Sequence, residues 1–237
     1  MAVTIIVLKS LRYTGWLTFP DLVIKDAKTF ALPSMFYALH AALALIALEG
    51  MNIPMYGALK RCVPLVNIIL SVIILKQPTP STLIIGAVSL TTFGCLIAGL
   101  NDPTFDGAAY TMGSLSVIMQ ALYLTLVQQC GEKKLLTSHI LYLNSCNSVI
   151  PFFIISCCTG ELHGIYHYKL LKDPFFQISL IMTLLMGLVL NFSLFLCTII
   201  NSALTTSIVG VAKSTLQTAV GFYAFGGVTI NTLNLTG

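Results

Sequence analysis

One uncharged stretch, residues 174–212, constrains the fold of this chain more than any other feature. Its thirty-nine residues contain no Asp, Glu, Lys, Arg or His. Over the whole chain, 57% of residues are hydrophobic and only 8% are charged, whereas a soluble domain carries roughly 25% charged residues. A surface so poor in charge excludes a soluble fold, and it predicts a protein whose partner is the lipid bilayer.

Helices are the predicted membrane spans. Backbone groups in lipid must be paired within the spanning structure, which leaves helices or closed barrels, and the long apolar runs lack the alternation of barrel strands. About 20 apolar residues cross the hydrocarbon layer, so the uncharged stretch must hold two spans, divided near Asn201-Ser202. The chain is therefore predicted to be an all-α polytopic bundle, a single membrane-embedded domain over 1–237. Seven complete spans are expected, at 29–50, 54–75, 81–100, 109–130, 137–158, 175–199 and 202–225.

The basic residues outside the spans predict the orientation. Cytoplasmic loops carry an excess of Lys and Arg, and seven of the basic residues fall on one side by alternation, against Lys169 and Lys172 on the other. The basic side is expected to face the cytosol. The net charge of +4 offers no soluble basic face, so nucleic acid is not an expected partner. The seven residues are Lys9, Arg12, Lys25, Lys28, Lys76, Lys133 and Lys134.

Three basic residues inside spans carry the functional argument. Lys60 and Arg61 lie about two turns into the second span, and Lys213 lies near the middle of the last. A charge at mid-membrane costs about 2.5–3.5 kcal/mol on insertion scales, and no Asp or Glu lies deep within any span. An anionic ligand, a phosphate or pyrophosphate, is predicted to supply the missing charge. The alternative is that the side chains reach the interface, with Glu49 as their partner.

Both lysines belong to a repeated Gly-x-x-Lys pattern, Gly57 with Lys60 and Gly210 with Lys213. Residues three apart share a helix face, so each glycine leaves room for a ligand to approach the ammonium group. The alternative is that the glycines serve helix packing, as small residues do in membranes. The two spans are five positions apart, an odd offset that inverts topology and predicts the inverted repeats found in many transporters.

Polar side chains near these motifs are further candidates for substrate binding. Thr206, Ser207 and Ser214 place hydroxyls around Lys213, suited to sugar and phosphate oxygens, unless they bond to their own helix. Asn144 and Ser148 lie one turn apart in the fifth span. An amide both donates and accepts, so Asn144 could recognise a nucleobase edge, and a helix–helix hydrogen bond is the alternative.

No enzyme, metal site or cofactor is expected. His163 and His167 are four residues apart in a loop, without an evident third ligand. The chain has no phosphate-binding loop motif and no credible Ser/His/Asp arrangement.

The two lysine motifs resemble those of a known family. The sequence Asn-Ser-Ala-Leu-Thr-Thr-Ser-Ile-Val-Gly-Val-Ala-Lys at 201–213 is similar to the ninth span of nucleotide-sugar transporters, in the drug/metabolite transporter superfamily. The sequence Pro-Met-Tyr-Gly-Ala-Leu-Lys-Arg-Cys at 54–62 is similar to the fourth span. The branch it resembles carries UDP-glucuronate and UDP-N-acetylhexosamines. This resemblance implies a ten-helix fold of two inverted five-helix repeats, truncated here at both ends.

The resemblance also implies residue roles. Lys60 and Lys213 match the basic positions that bind phosphate in relatives, and Tyr142-Leu-Asn144-Ser matches the base-reading Phe-Tyr-Asn-Asn motif with one asparagine retained. The guanine-reading Gly-Ala-Leu-Asn-Lys motif appears as Gly210-Val-Ala-Lys-Ser, which argues against GDP-mannose and fits a uridine nucleotide better. The implied activity is exchange of a UDP-sugar for the nucleoside monophosphate UMP in a Golgi or endoplasmic reticulum membrane.

Several alternatives stay open. A sugar-phosphate or other organic-anion exchanger would use the same lysines without a base reader, and a non-transporting membrane scaffold would keep only the fold. A seven-span receptor is disfavoured because the chain lacks the Asp-Arg-Tyr and Asn-Pro-x-x-Tyr motifs. The sequence fits either a monomer or a homodimer, and it does not identify the sugar.

Overall fold

The computed structural model describes residues 1–20, 24–100, 105–131, 135–160 and 168–225, and in these residues the chain is α-helical without strands. The predicted all-α class is therefore confirmed. Two short 3₁₀ turns lie at Lys60–Cys62 and Lys169–Lys172. The helices are α1 (Ala2–Tyr13), α2 (Ile24–Gly50), α3 (Ile53–Leu59), α4 (Val63–Ile73), α5 (Thr82–Leu100), α6 (Gly107–Gly131), α7 (Thr137–Cys158), α8 (Pro174–Ile200) and α9 (Ala203–Phe225).

A helix lies at each of the seven predicted spans. Five helical segments of the described chain are long and apolar enough to cross a membrane: α2, α3 through α4, α6, α7 and α8. A sixth, in α5, is apolar over the shorter range Thr82–Ile97. These segments confirm a polytopic helical membrane protein. For α5 and α9, the crossing of the bilayer stays a prediction.

The second span is divided where the functional lysine lies. Between α3 and α4, Lys60–Cys62 form a 3₁₀ turn in which the N–H of Val63 donates to the carbonyl of Lys60. Pro64 explains this break, because proline has no N–H to donate to the carbonyl four residues earlier, and its ring crowds that carbonyl. That carbonyl belongs to Lys60. The proline therefore places Lys60 at an irregular turn inside the span.

Helix α6 forms the centre of the bundle. It packs along α2 and against α4, α8, α9 and α3, and eleven of its residues are buried. Aromatic rings join α2, α6 and α8: the Tyr123 ring centroid lies 5.1 Å from that of Tyr37 and 6.0 Å from that of Phe195. Such tilted and edge-on pairs are the favoured aromatic geometries. The buried core thus lies around α6.

Gly113 lets α3 approach α6 closely. A Cβ atom at this position would lie 2.7 Å from Cδ2 of Leu59 and 3.6 Å from Ala47 and Met51. Small residues permit such close helix contacts in membranes. Because Leu59 directly precedes Lys60, this contact also fixes the position of the 3₁₀ turn.

The turn between α8 and α9 is held by side chains from two other helices. The N–H of Ala203 donates to Oε1 of Gln128 at 2.7 Å, and Nδ2 of Asn67 donates to the Ala203 carbonyl at 3.3 Å. Thr125 in turn donates to Oδ1 of Asn67 at 3.3 Å. The first N–H groups of a helix lack intrahelical partners, so a buried helix start needs these acceptors. The chain turns at Asn201-Ser202, the position that the sequence predicts.

Helix α8 contrasts with α6, because only Phe195 and Thr198 of its residues are buried. Phe192, Leu194 and Ile199 are partly buried against the core, and most of the other apolar side chains of α8 are exposed, as suits a helix in lipid. Among the cysteines, Cys95 and Cys130 are buried, whereas Cys157 and Cys158 are exposed. A thiol is a small apolar group, so lipid accommodates it as well as a protein core does.

Candidate functional site

Lys60 is half-buried at the 3₁₀ turn, and its ammonium group lies over an aromatic ring. The Nζ atom is 5.0 Å from the ring centroid of Tyr56, within the range of a cation–π interaction. Within the described ranges, no carboxylate forms an ion pair with Lys60, Arg61 or Lys213. Glu49, the partner considered from the sequence, is therefore not paired with them.

Lys213 lies on α9, a helix that packs against α3 and α4, the two helices that flank Lys60. Its side chain is exposed. The ammonium groups of Lys60 and Lys213 carry like charges and repel each other. An anion that contacts both would remove this repulsion, so the pair forms a candidate anion site.

The two glycines of the repeated pattern differ in their surroundings. Gly57 is half-buried and Gly210 is exposed. A Cβ atom added at Gly210 would meet no other atom within 4 Å. Space is therefore open beside Gly210, one turn from Lys213.

Arg61 faces a different environment from that of its neighbour Lys60. It lines a cavity of about 200 Å³ with Pro64 of α4, with residues of α5, and with Ile208 and Val211 of α9. Its Nε atom is buried and has no hydrogen-bond partner among the described residues. A guanidinium group in such apolar surroundings retains an unsatisfied N–H donor, from which an anion could accept a hydrogen bond.

The predicted hydroxyl ligands near Lys213 bond to their own helix. A hydroxyl has one proton to donate, and a proton donated to a carbonyl is not available to a phosphate oxygen. In this arrangement the three side chains offer only acceptor lone pairs, and their role in substrate binding stays a prediction. Thr206, Ser207 and Ser214 donate to the carbonyls of Ser202, Leu204 and Val211 at 2.9, 2.8 and 2.9 Å.

The predicted base-reading residues lie buried in α7. Asn144 is fully buried, and within the described residues neither Nδ2 nor Oδ1 of its amide has a hydrogen-bond partner; Oγ of Ser148 has none there either. Tyr142 is buried against Phe19, with ring centroids 5.2 Å apart. A buried amide without partners is costly, and the helix–helix hydrogen bond considered as its alternative role is absent from the described residues.

These α7 residues are not brought into contact with the lysines. Helix α7 packs mainly against α2, α1 and α8, whereas α9, which carries Lys213, packs against α3 and α4, which flank Lys60. The described residues contain no group of three potential metal ligands, and His163 and His167 lie outside them.

Comparison with known proteins identifies the family. The chain is 40% identical to UDP-galactose/UDP-glucose transporter 7 of Arabidopsis thaliana, over 95% of this chain and 71% of that protein. The chain belongs to the nucleotide-sugar transporter family. This membership confirms the resemblance that the two lysine motifs carry.

Two further relatives are also nucleotide-sugar transporters. The chain is 28% identical to the UDP-N-acetylglucosamine transporter UGNT1 of Arabidopsis thaliana, over 90% of this chain and 65% of that protein. It is 29% identical to the nucleotide sugar transporter SLC35D2 of Mus musculus, over 100% of this chain and 73% of that protein. No protein-family model matches the chain.

Sequence reasoning missed a polar cluster of this family member beside Lys60. Tyr56 Oη lies 3.0 Å from Ser116 Oγ, and Ser116 contacts His40 through both its hydroxyl and its carbonyl. One signal could have found it, since His40 is an ionisable residue within a predicted span, and such residues are commonly functional. Its partners come from α3 and α6, however, and only the fold brings these together.

Proposed function

We propose that the protein transports nucleotide sugars across a membrane, with a UDP-sugar as substrate and UMP as the counter-substrate. The observation that carries this proposal is that Lys60 and Lys213, on segments that pack together, have no carboxylate partner among the described residues. The names of the relatives, which include transporters of UDP-galactose, UDP-glucose and UDP-N-acetylglucosamine, support the substrate class.

The chemistry of the substrate suits this site. The pyrophosphate of a UDP-sugar and the phosphate of UMP both accept charge-assisted hydrogen bonds from ammonium groups. Either ligand would remove the repulsion between the two lysines, so the same site can hold each in turn. That exchange is what an antiporter with one central site requires. Golgi or endoplasmic reticulum membranes, with uptake into the lumen, are the proposed location.

The remaining alternatives follow from the same residues. An organic-anion or sugar-phosphate exchanger would bind its substrate through the lysines and would not use Asn144 to recognise a base. A membrane scaffold with this fold would bind neither UDP-sugar nor UMP. No enzymatic activity is proposed, because the relatives are transporters.

Uptake into proteoliposomes tests the proposal. Vesicles that contain the purified protein and are preloaded with UMP should accumulate radiolabelled UDP-glucose or UDP-galactose, and empty vesicles should not. Lys213→Ala should abolish uptake, because it removes half of the anion site. The matched control is Lys172→Ala, an exposed residue outside the spans, which should leave uptake unchanged. No uptake by the folded wild-type protein would refute transport, and normal uptake by Lys213→Ala would refute the site.

An Asn144→Ala variant in the same assay tests the base-reading role. It should reduce the preference for uridine over guanosine and cytidine nucleotide sugars. Because the buried Asn144 amide has no partner among the described residues and is costly to bury, its removal should not lower the thermal stability. Asn67→Ala is the contrasting control, since the Asn67 amide bonds to Ala203 and Thr125. That variant should lower stability and retain the preference. Unchanged selectivity in Asn144→Ala would favour the organic-anion exchanger.

A further inference from the structure

We infer that Tyr56, held in place by Ser116 and His40, is a positioning residue that fixes the Lys60 ammonium group for phosphate binding. The inference deepens the proposed function and rests on it. It concerns a part of the site that the lysine motifs themselves do not reveal, and three helices contribute to it.

The three residues form a closed set of hydrogen bonds between α2, α3 and α6. Ser116 Oγ donates to the His40 carbonyl at 3.1 Å, and the Tyr56 hydroxyl lies 3.0 Å from Ser116 Oγ. The ring Nδ1 of His40 lies 3.0 Å from the Ser116 carbonyl. All donors are used if His40 carries its proton on Nδ1 and donates to that carbonyl, while Tyr56 donates to Ser116. Through Ser116, side-chain hydrogen bonds therefore join α6 to both α2 and α3.

This set immobilises the Tyr56 ring directly beneath Lys60. Tyr56 is itself buried, at 6% exposure, and lies one helical turn before Lys60. Its hydroxyl is tied to α6, so the ring cannot rotate away without breaking the bond to Ser116. The close contact of Gly113 with Leu59 holds the same segment of α3 against α6. The ring plane is thereby fixed relative to the centre of the bundle.

An aromatic ring suits this task better than a carboxylate would. A ring face attracts an ammonium group through its quadrupole, so it can hold Lys60 in place without neutralising its charge. The three N–H donors of the ammonium group stay available to phosphate oxygens. Lys213, on a helix that packs against α3 and α4, adds like charge, which increases the gain when an anion binds. Tyr56 therefore prevents Lys60 from reaching the interface while keeping it competent for an anion.

A purely structural role for Tyr56 would look different. If the Tyr56–Ser116 bond only joined α3 to α6, its loss would lower thermal stability and would affect every ligand equally. If Tyr56 positions Lys60, its loss must weaken ligands with phosphate more than ligands without it. UMP and uridine form such a pair, since they share the base and ribose and differ in the phosphate.

Binding of UMP and uridine to the purified protein tests the inference. Removing the ring in Tyr56→Leu should weaken UMP binding roughly 5–10-fold and leave uridine binding unchanged. Tyr56→Phe and Ser116→Ala should each weaken UMP binding roughly 2–4-fold. The double variant should bind UMP no more weakly than the weaker single variant, because Ser116→Ala already removes the partner of the Tyr56 hydroxyl. Tyr123→Phe is the matched control: its hydroxyl is also on a buried tyrosine of the core but has no partner, so UMP binding should not change.

Several results would overturn the inference. Wild-type UMP affinity in both Tyr56→Leu and Tyr56→Phe would do so, as would equal losses of UMP and uridine. Additive losses in the Tyr56→Phe and Ser116→Ala double variant would also contradict it. If the wild-type protein fails to bind UMP, or Lys60→Ala binds it normally, the proposed phosphate site itself fails and the inference fails with it. Loss in Lys60→Ala without loss in the Tyr56 variants refutes the positioning role alone.

Discussion

The segments around Lys60 and Lys213 share one sequence pattern, yet the protein builds them differently. Lys60 follows α3 at a 3₁₀ turn, half-buried over the Tyr56 ring. Lys213 lies within the continuous helix α9, exposed, with open space at Gly210 one turn away. Neither is paired with a carboxylate in the described part of the chain.

This difference in surroundings gives the two lysines different tasks, although they share one sequence pattern. Lys60 is held in place before any ligand arrives, so it can set the position of a phosphate group. Lys213 keeps the conformational freedom of a long side chain, so it can follow ligands of different size. A site with one fixed and one adaptable cation suits the exchange of a UDP-sugar for a smaller monophosphate. The comparison can be tested by exchanging side chains between the two settings.

Arginine substitutions should give the largest difference. Arginine keeps the charge but presents a longer, planar group. At Lys60 the new group must fit an enclosed turn above Tyr56, and a displacement of donors by about 1 Å can reduce activity by up to roughly 100-fold. We expect Lys60→Arg to lower UDP-sugar uptake by at least about 10-fold and Lys213→Arg by less than about 3-fold. Initial uptake rates in UMP-loaded proteoliposomes measure this, and equal losses would mean that the two lysines are equivalent.

Alanine substitutions of glycines should give an intermediate effect. At Gly113 the added methyl group would collide with Leu59 at 2.7 Å, and relief of such overpacking costs about 1–3 kcal/mol. At Gly210 it would meet nothing within 4 Å among the described residues, so the substitution should not lower the stability. Thermal unfolding in detergent should therefore show a lower midpoint for Gly113→Ala only. A loss of stability in Gly210→Ala would show that the second segment is as closely packed as the first.

Removal of one hydroxyl near Lys213 should have the smallest effect. The Ser207 hydroxyl donates to the Leu204 carbonyl, so it has no proton left for a phosphate, and Ser207→Ala should change UMP affinity by less than about 2-fold. Ser116→Ala, beside the Lys60 segment, should have the larger effect. If Ser207→Ala lowers UMP affinity more than Ser116→Ala does, the substrate contacts lie on α9 rather than around Lys60.

The helices were largely predictable from the sequence, because lipid imposes a simple condition. Each span must be apolar over its full length, so its ends follow from where charge and proline return. The described helices Thr137–Cys158 and Pro174–Ile200 lie within one residue of the predicted ranges. The first span begins earlier than predicted, at Ile24 rather than at 29, because Lys25, Asp26 and Lys28 are tolerated in its first turns.

The site was predictable only in its charges. A basic residue in a span is conspicuous in a sequence, and the three cations were identified in this way. Their surroundings depend on distant parts of the chain. Ser116 is 60 residues from Tyr56 and 76 from His40, and no local pattern relates them. Lys60 faces Tyr56, whereas Arg61 faces the cavity beside α5. This difference also follows from tertiary packing.

The hydrogen bonds at the start of α9 restrict how this protein can move. Asn67 of α4 and Gln128 of α6 both bond to Ala203, so these two helices and the start of α9 are joined at one residue. A rocking motion that exposes the lysine pair first to one side of the membrane and then to the other breaks these bonds unless the three segments move together. Displacement of helices outside this group leaves the bonds at Ala203 intact.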